Sequence, residues 1–485
     1  MSKRQKTIEE LLEEAFVPEE EQPYRVPKNW VWAYVDTIAQ EIKNGTTVKQ
    51  NKDGLGVKVT RIESVQNNEI DLNRIGYIEE VSSVKEKDYY QPNDIVLSHI
   101  NSIEHVGKTA LIKGSDLPLV HGMNLLKIGL FKEKVAPEYA QYYMRSYQFR
   151  KDVRERINRA VNQVSLNQKN LKTVPIPVAP LNEQKRIAGK IERLLNKMEE
   201  TKQLIEEAKE TFELRRAAIL DKAFRGELTN SWRLENQNIE ENKSLQVSIS
   251  NDSTMPYEIP DTWRWSTLKD IAEFKNGYAF KSKDFVDQGI QLIRMGNLYK
   301  NKLALERNPV YLPKEYDMKI LEKYTIKNGD ILLSLTGTKY KRDYGYAVKV
   351  DGTDKPLLLN QRILSLKPKR MDEYVFYYLQ SSTFRNTFFG FETGGVNQGN
   401  VGSKAVESIL IPVPPLDEAK EIEKKLVAIL KKETDSLKIL HVEEQLETLK
   451  QTILSKAFRG ELGTNDPSEE SAIELLKEVL QDKVK

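Results

Sequence analysis

The chain repeats itself, and no other feature constrains its fold as strongly. PKNWVWAYVDTIA (Pro27 to Ala39) reappears as PDTWRWSTLKDIA (Pro260 to Ala272), with Trp30/Trp32 falling on Trp263/Trp265. KNG recurs at Lys43 and Lys275, and NDIVLS from Asn93 matches GDILLS from Gly329. EYAQYYMRSYQFR from Glu138 matches EYVFYYLQSSTFR from Glu373, and VNQ recurs at Val161 and Val396. PVAPLNE from Pro177 matches PVPPLDE from Pro412, and KAFRGEL is identical at Lys222–Leu228 and Lys456–Leu462. The offset stays within a few residues of the 234 that separate Lys222 from Lys456. A fixed period of this length means one structural unit used twice.

Each copy has two parts. The first mixes short β-branched and aromatic runs (VKVTRI, DIVLSHI and TALIK; then GIQLIRM, DILLSLT, YAVKV and ILSLK) with Gly, Asn, Asp and Pro punctuation. Such runs read as strands. EYAQYYMRSYQFRKDVRERI reads as an amphipathic helix, so the part is α+β. The second part is a long helix, with Asn182 and Asp417 placed as N-caps after Pro-Leu. Its apolar positions, beginning Ile187, Ile191, Leu194, Met198 and Ile422, Leu426, Ile429, follow heptad-like spacing. Gly226 and Gly460 fall where a left-handed C-terminal cap belongs. A helix of about 40 residues is about 60 Å long, and its stripe needs a partner. The duplication supplies one.

The expected architecture is therefore α+β: two tandem α+β domains separated by two long helices that form an antiparallel coiled coil, with pseudo-two-fold symmetry. The expected boundaries are an acidic N-terminal helix (1–23), a first domain (24–178), a long helix (179–229), a linker (230–256), a second domain (257–413), a second long helix (414–463) and a tail helix (464–485). Trp30, Trp32, Trp263 and Trp265 recur where each domain begins and read as core.

The net charge of +3 is uninformative until it is located. Residues 24–178 hold 23 Lys and Arg against 17 Asp and Glu, and 257–413 hold 24 against 18. The helices are near neutral, while the N-terminal segment, linker and tail are acidic. Two basic domains with Asn, Gln, Tyr and Arg in Gly-containing loops fit nucleic-acid reading.

Catalytic chemistry is missing from the pattern. Without cysteine there is no thiol nucleophile, disulfide or Cys-ligated zinc. HExxH, GxGxxG and GxSxG do not occur. His99 and His105 lack a partnering acidic cluster. Gly107-Lys108-Thr109 imitates the end of a P-loop, but Ser102 stands where the first glycine must be. Pro414-Pro415-Leu416 lacks the flanking residues with which amino-methyltransferases grip a flipped base. The charged N-terminal segment is unlike a signal peptide, and no apolar run reaches the ~18–20 residues that span a bilayer, so a soluble, cytoplasmic, non-enzymatic protein is expected.

A tandem pair of basic domains, each followed by a long helix opening with P-x-P-L-x-E and closing with KAFRGEL, resembles the specificity (S) subunit of type I restriction–modification enzymes. The carriers are Ile176–Leu195, Ile411–Leu426 and the two KAFRGEL segments, and the likeness runs from Trp30 to Leu462. The second copy departs at Ala419, where the first has Gln184. The resemblance implies that each domain is a target recognition domain reading half of a bipartite, asymmetric sequence in double-stranded DNA. It implies that the helices set the spacer and dock two modification (methyltransferase) subunits, which a restriction (translocase/nuclease) subunit can join. It further implies that this chain binds no cofactor, with S-adenosylmethionine, ATP and Mg2+ held by partner subunits. The complex would have adenine-specific methyltransferase and ATP-dependent endonuclease activity.

Phosphate contacts from Lys and Arg hold a duplex while Asn, Gln and Arg reach base edges. On that basis the first domain's candidate DNA contacts are Thr46, Thr47, Lys49, Arg61, Asn101, Lys108, Arg159, Asn162 and Gln163. The second domain's are Tyr278, Lys281, Lys283, Arg294, Thr338, Lys339, Tyr340, Lys341, Arg342, Asn397, Gln398 and Asn400. The loop 336–344 is the strongest of these. Candidate partner contacts are Lys222, Phe224, Arg225, Gly226, Lys456, Phe458, Arg459 and Gly460. Valine at either glycine is therefore expected to weaken subunit assembly more than domain stability. The rival readings are a coiled-coil scaffold whose basic domains bind RNA or protein, and a nuclease with an unrecognised metal site.

Overall fold

The computed structural model describes residues 6–159, 163–236, 255–352, 355–395, 397–439 and 443–484. The chain divides into two compact units, one built from 1–204 and 441–485, the other from 205–440.

In the first unit, strand Val31–Tyr34 runs antiparallel to Pro175–Val178, so the two ends of the recognition segment are paired. A four-stranded antiparallel sheet follows in the order Ala39–Asn44, Leu125–Leu130, Ile95–Ser98, Thr109–Leu111. Every residue of its two middle strands is buried. They read as continuous apolar runs because both faces are covered. The second unit repeats the plan. Arg264–Thr267 pairs with Leu410–Val413, and the sheet runs Ala272–Asn276, Ile363–Pro368, Ile331–Ser334, Ala347–Lys349. The α+β duplication is thus present strand by strand. The units differ in how far a second sheet is built: the second unit has four strands there, including one parallel pair, Ile290–Ile293 with Leu357–Leu359, where the first has the pair Val57–Val59 with Gly76–Ile78 and single bridges from Val59 and Tyr89 to Val120.

The amphipathic stretch from Glu138 is two helices rather than one, Pro137–Met144 and Tyr147–Glu155. Ser146 breaks it: its side chain accepts from the Phe149 amide and caps the second helix. The second copy breaks identically at Ser381.

The first long helix spans Leu181–Phe224, 44 residues. The second is described as Leu416–Ile439 and Glu443–Phe458. Each starts one residue before the expected cap. The Pro180 and Pro415 carbonyls accept from the amides of Gln184 and Ala419 at 2.9 Å each. Proline needs no amide partner at a helix start, so Asn182 and Asp417 sit inside the first turn. Gly226 and Gly460 take φ of 78° and 75°, the left-handed caps expected of them.

Within each unit the start of one long helix lies beside the end of the other. In the first unit, Ile187, Ile191, Ile453, Leu454, Ala457 and Phe458 share one core with Trp30 and Trp32. Arg186 reaches the Thr464 carbonyl and pairs with Glu469, and Lys190 reaches the Leu462 carbonyl. In the second, Leu220, Ala223 and Phe224 join Ile422, Leu426 and Trp263. Lys425 there reaches the Leu228 carbonyl. Each recognition segment is closed by the KAFRG end of the other copy's helix.

One carboxylate fastens each closure. Glu183 accepts from the Trp30 indole at 2.7 Å and from Asn465 at 3.0 Å. Glu418 accepts from the Trp263 indole at 2.8 Å and the Thr229 hydroxyl at 2.7 Å, and pairs with Arg233. Burial raises the Glu183 pKa above the usual carboxylate value against those bonds. Among the described residues no helix is long and apolar enough to cross a membrane.

Candidate nucleic-acid interface

Some of the segments singled out in the sequence meet at one place in each domain. In the first, Asn158–Arg159, Val164–Ser165 and Ile100–Asn101 form a three-stranded sheet, with Val164 opposite both Arg159 and Asn101. That brings Asn101, Arg159 and Gln163 together from positions some sixty residues apart, with Arg159 and Gln163 exposed. Asn101 is partly engaged: its amide donates to Ser98 Oγ at 3.1 Å, and its oxygen accepts from the Ser102 amide at 2.8 Å. Asn162 lies outside the described residues.

In the second domain the same topological position holds Thr336–Thr338 paired with Gln398–Asn400. Thr338 lies opposite Gln398 and Thr336 opposite Asn400, which puts the loop 336–344 beside Asn397. Tyr340 is 81% exposed at the loop tip, with the Lys339 ammonium 5.7 Å from its ring centre. Tyr340 and Arg342 both have positive φ, 68° and 48°. Such backbone persists only where surroundings dictate it. They do here: Asp343 accepts from the Thr338 amide at 2.7 Å, and Arg385 donates to the carbonyls of Arg342, Tyr344 and Gly345 at 2.8–3.2 Å. The Tyr344 hydroxyl donates to Glu392, and burial pushes its pKa well above the usual phenol value. The loop is a braced platform that presents Tyr340 and Lys341 outward. Arg342 lies over the Phe389 ring at 5.1 Å.

Other candidates stand apart from these platforms. Thr46 is buried and its amide donates to the His121 carbonyl, whereas Thr47 and Lys49 are exposed. Thr46 and Thr47 line an open groove of about 560 Å³ together with Lys85 and Lys87, cations some forty residues away that no sequence pattern joins to them. Arg61 is half-buried and committed to Glu63 at 3.0 Å and Gln50 at 3.4 Å. Lys108 is half-buried. Tyr278 stacks on Phe280 and Tyr324 in a small core cluster, while Lys281, Lys283 and Arg294 are exposed. Asn400 exchanges backbone bonds with Thr393, leaving Asn397 and Gln398 as the exposed polar side chains.

The KAFRG residues divide sharply. Phe224 and Phe458 are each 1% exposed and meet tyrosines edge-on at about 5.1 Å, Tyr374 and Tyr378 in one unit, Tyr139 and Tyr143 in the other. Arg225 lies over Tyr257 at 4.4 Å and Arg459 over Tyr24 at 4.5 Å. A Cβ on Gly226 would stand 2.5 Å from Pro260 Cγ, and on Gly460 2.3 Å from Pro27 Cγ. These side chains pack inside each unit, so valine at either glycine would also strain the domain itself. Lys222 and Lys456 remain exposed.

His99 and His121 serve the fold. Each ring faces a backbone carbonyl, of Leu166 at 3.2 Å and of Leu125 at 2.9 Å, and burial lowers both pKa values, His121 to about 4. No group of three or more His, Cys, Asp or Glu able to hold a metal occurs among the described residues.

Two equivalent scaffolds, each lifting a different set of polar and basic side chains off a shared sheet plan, define a tandem recognition protein. The family model described as "Type I restriction modification DNA specificity domain" matches residues 27–210 and again 260–448, and the chain belongs to that family. It is the non-catalytic, sequence-recognising member of such a system. The putative type I restriction enzyme MjaX specificity subunit of Methanocaldococcus jannaschii is 31% identical over 450 residues, covering 90% of this chain and 94% of that one. The EcoKI specificity subunit of Escherichia coli is 24% identical over 459 residues, covering 90% of each. The HsdS subunit from Thermoanaerobacter tengcongensis shares the fold with a TM-score of 0.52 at 18% identity, over 91% of this chain and all of that one. A chain from a structure describing complex assembly and conformational transition of the type I R-M system reaches 0.64 at 17% identity, with the same coverage.

Proposed function

We propose that each domain reads one half of a bipartite, asymmetric target in double-stranded DNA, in the cytoplasm. The long helices fix the spacer and dock two modification subunits, with restriction subunits able to join. S-adenosylmethionine, ATP and Mg2+ belong on those partners.

One observation carries this reading. The same strand pair of a duplicated scaffold ends in Asn101, Arg159 and Gln163 in one copy and in Thr338–Arg342 with Asn397 and Gln398 in the other. A common frame with unlike tips gives a split target with unlike halves. Lys339, Lys341 and Arg342 are suited to phosphates and guanine edges, while Asn397 and Gln398 suit adenine. Tyr340 offers an apolar face beside them.

The test is retention of the chain on duplexes over a salt series. A target with both half-sites at the right spacing should hold it at least 10³-fold more tightly than a scrambled duplex, and log Kobs should fall linearly with log[salt]. Equal binding to scrambled duplex, or preference for RNA, would favour the scaffold reading instead.

A further inference from the structure

We infer that Arg145, Arg150, Arg154 and Lys450 form a pocket for a phosphoryl oxyanion. These residues line a cavity of about 190 Å³ in the first unit, with Glu447 and Gln451 on its rim. The Nε atoms of Arg145 and Arg150 are buried and have no hydrogen-bond partner. The nearby carboxylate, Glu447, is already shared between Lys450 at 3.4 Å and Gln451 at 3.5 Å. Gln451 Oε1 is likewise without a partner, and a bound water or a protonated oxyanion would satisfy it. A buried guanidinium N–H left without an acceptor is costly, and two of them near a lysine are costlier still. Burial accordingly pulls the pKa of both arginines below the ordinary value.

The duplication supplies an internal control. In the second copy Gln380 stands at the place of Arg145 and accepts from Arg216, which stands at the place of Lys450. Arg385, at the place of Arg150, spends its guanidinium on three backbone carbonyls. Phe389 replaces Arg154. Every cation of that corner has an intramolecular acceptor. The first copy has exchanged a neutral acceptor for a cation and added another, which gives four positive groups around a single carboxylate.

The charge balance selects the ligand chemistry. One planar carboxylate would offset a single charge and offer two oxygens. A tetrahedral phosphoryl group carries up to two charges and three or four acceptor oxygens, matching forked guanidinium donors converging from several directions. Free phosphate or a polyphosphate supplies that group in full, whereas a duplex backbone supplies the same tetrahedral centre with one charge and two unbridged oxygens per phosphodiester. The duplex source rests on the function proposed above, whereas the free-anion source does not.

The experiment uses the full-length chain, Arg145→Gln (the residue natural to the second copy) and Lys450→Ala. Thermal melts are run with inorganic phosphate or pyrophosphate against sodium chloride at matched ionic strength. In parallel, binding to a non-specific duplex is measured over a salt series. A melting point raised by phosphate in the wild type, with at least tenfold weaker response in both variants, assigns a free phosphoryl ligand. A duplex-binding slope lowered by about one in each variant, with no phosphate response, assigns the DNA backbone. If both variants match the wild type in both assays, the pocket does not bind phosphoryl groups. Loss of methyltransferase co-purification alone would give the arginines to an acidic protein surface and equally overturn the inference. Should the chain bind no duplex at all, the phosphate melts decide by themselves.

Discussion

At the scale of single residues, the segments shared by the two copies prove to be fasteners. Glu183 and Glu418 each tie an indole to a segment arriving from far along the chain. Phe224 and Phe458 fill the tyrosine-lined sockets beneath them. Gly226 and Gly460 then turn the backbone through the left-handed region hard against a proline. Gly460→Val should destabilise the first unit by about 2–4 kcal/mol, since a β-branched residue resists positive φ and its Cβ overlaps Pro27. Hydrogen exchange gives the readout: Val31–Tyr34 and Pro175–Val178 should lose protection while Arg264–Thr267 and Leu410–Val413 keep theirs. Unchanged protection with lost methyltransferase co-purification would return the glycines to a docking role. The glycine caps were readable from sequence, as was the buried place of the tryptophans, because turn chemistry is local. The Trp–Glu bonds were hidden although both partners recur in register, because their pairing depends on contacts across some 150 residues.

At the scale of elements, the strands and the 44-residue helix follow directly from patterning. The break at Ser146 does not, because an apolar stripe continues through it and only the serine's capping bond turns the chain. The platform sheets also escaped notice as sheets: two- and three-residue strands carry no periodicity, so their candidate residues could be named but not joined. The partnerless Nε atoms of Arg145 and Arg150 were invisible for a related reason, since a buried donor's lack of an acceptor is a fact of three dimensions. The helices make the element-scale prediction. A matched seven-residue insertion in both, within 196–216 and its counterpart, would add about 10.5 Å, or about three base pairs of spacer at about 3.4 Å each. Mapping methylated adenines in a host carrying the altered chain reads the outcome. Unchanged spacing would refute the helices as a ruler.

At the scale of the molecule, each unit contains sequence from both copies: the first is completed by 441–485 and the second by 205–229. The repeat in the sequence is therefore not the repeat in space. The recognition segments can be exchanged without disturbing this interlock, because each begins and ends on one antiparallel strand pair, Arg264–Thr267 with Leu410–Val413 in the second. Replacing 257–413 with the recognition segment of a relative keeps Phe224 and its neighbours on the first long helix. The sockets at Tyr374 and Tyr378 then come from the donor, so the donor must carry tyrosines at both places. In a host carrying such a chimera, the methylated sites should have one half-sequence new, the other unchanged and the spacer retained. A change in both halves would mean that the domains do not read independently. No change in either would mean that recognition lies outside 257–413.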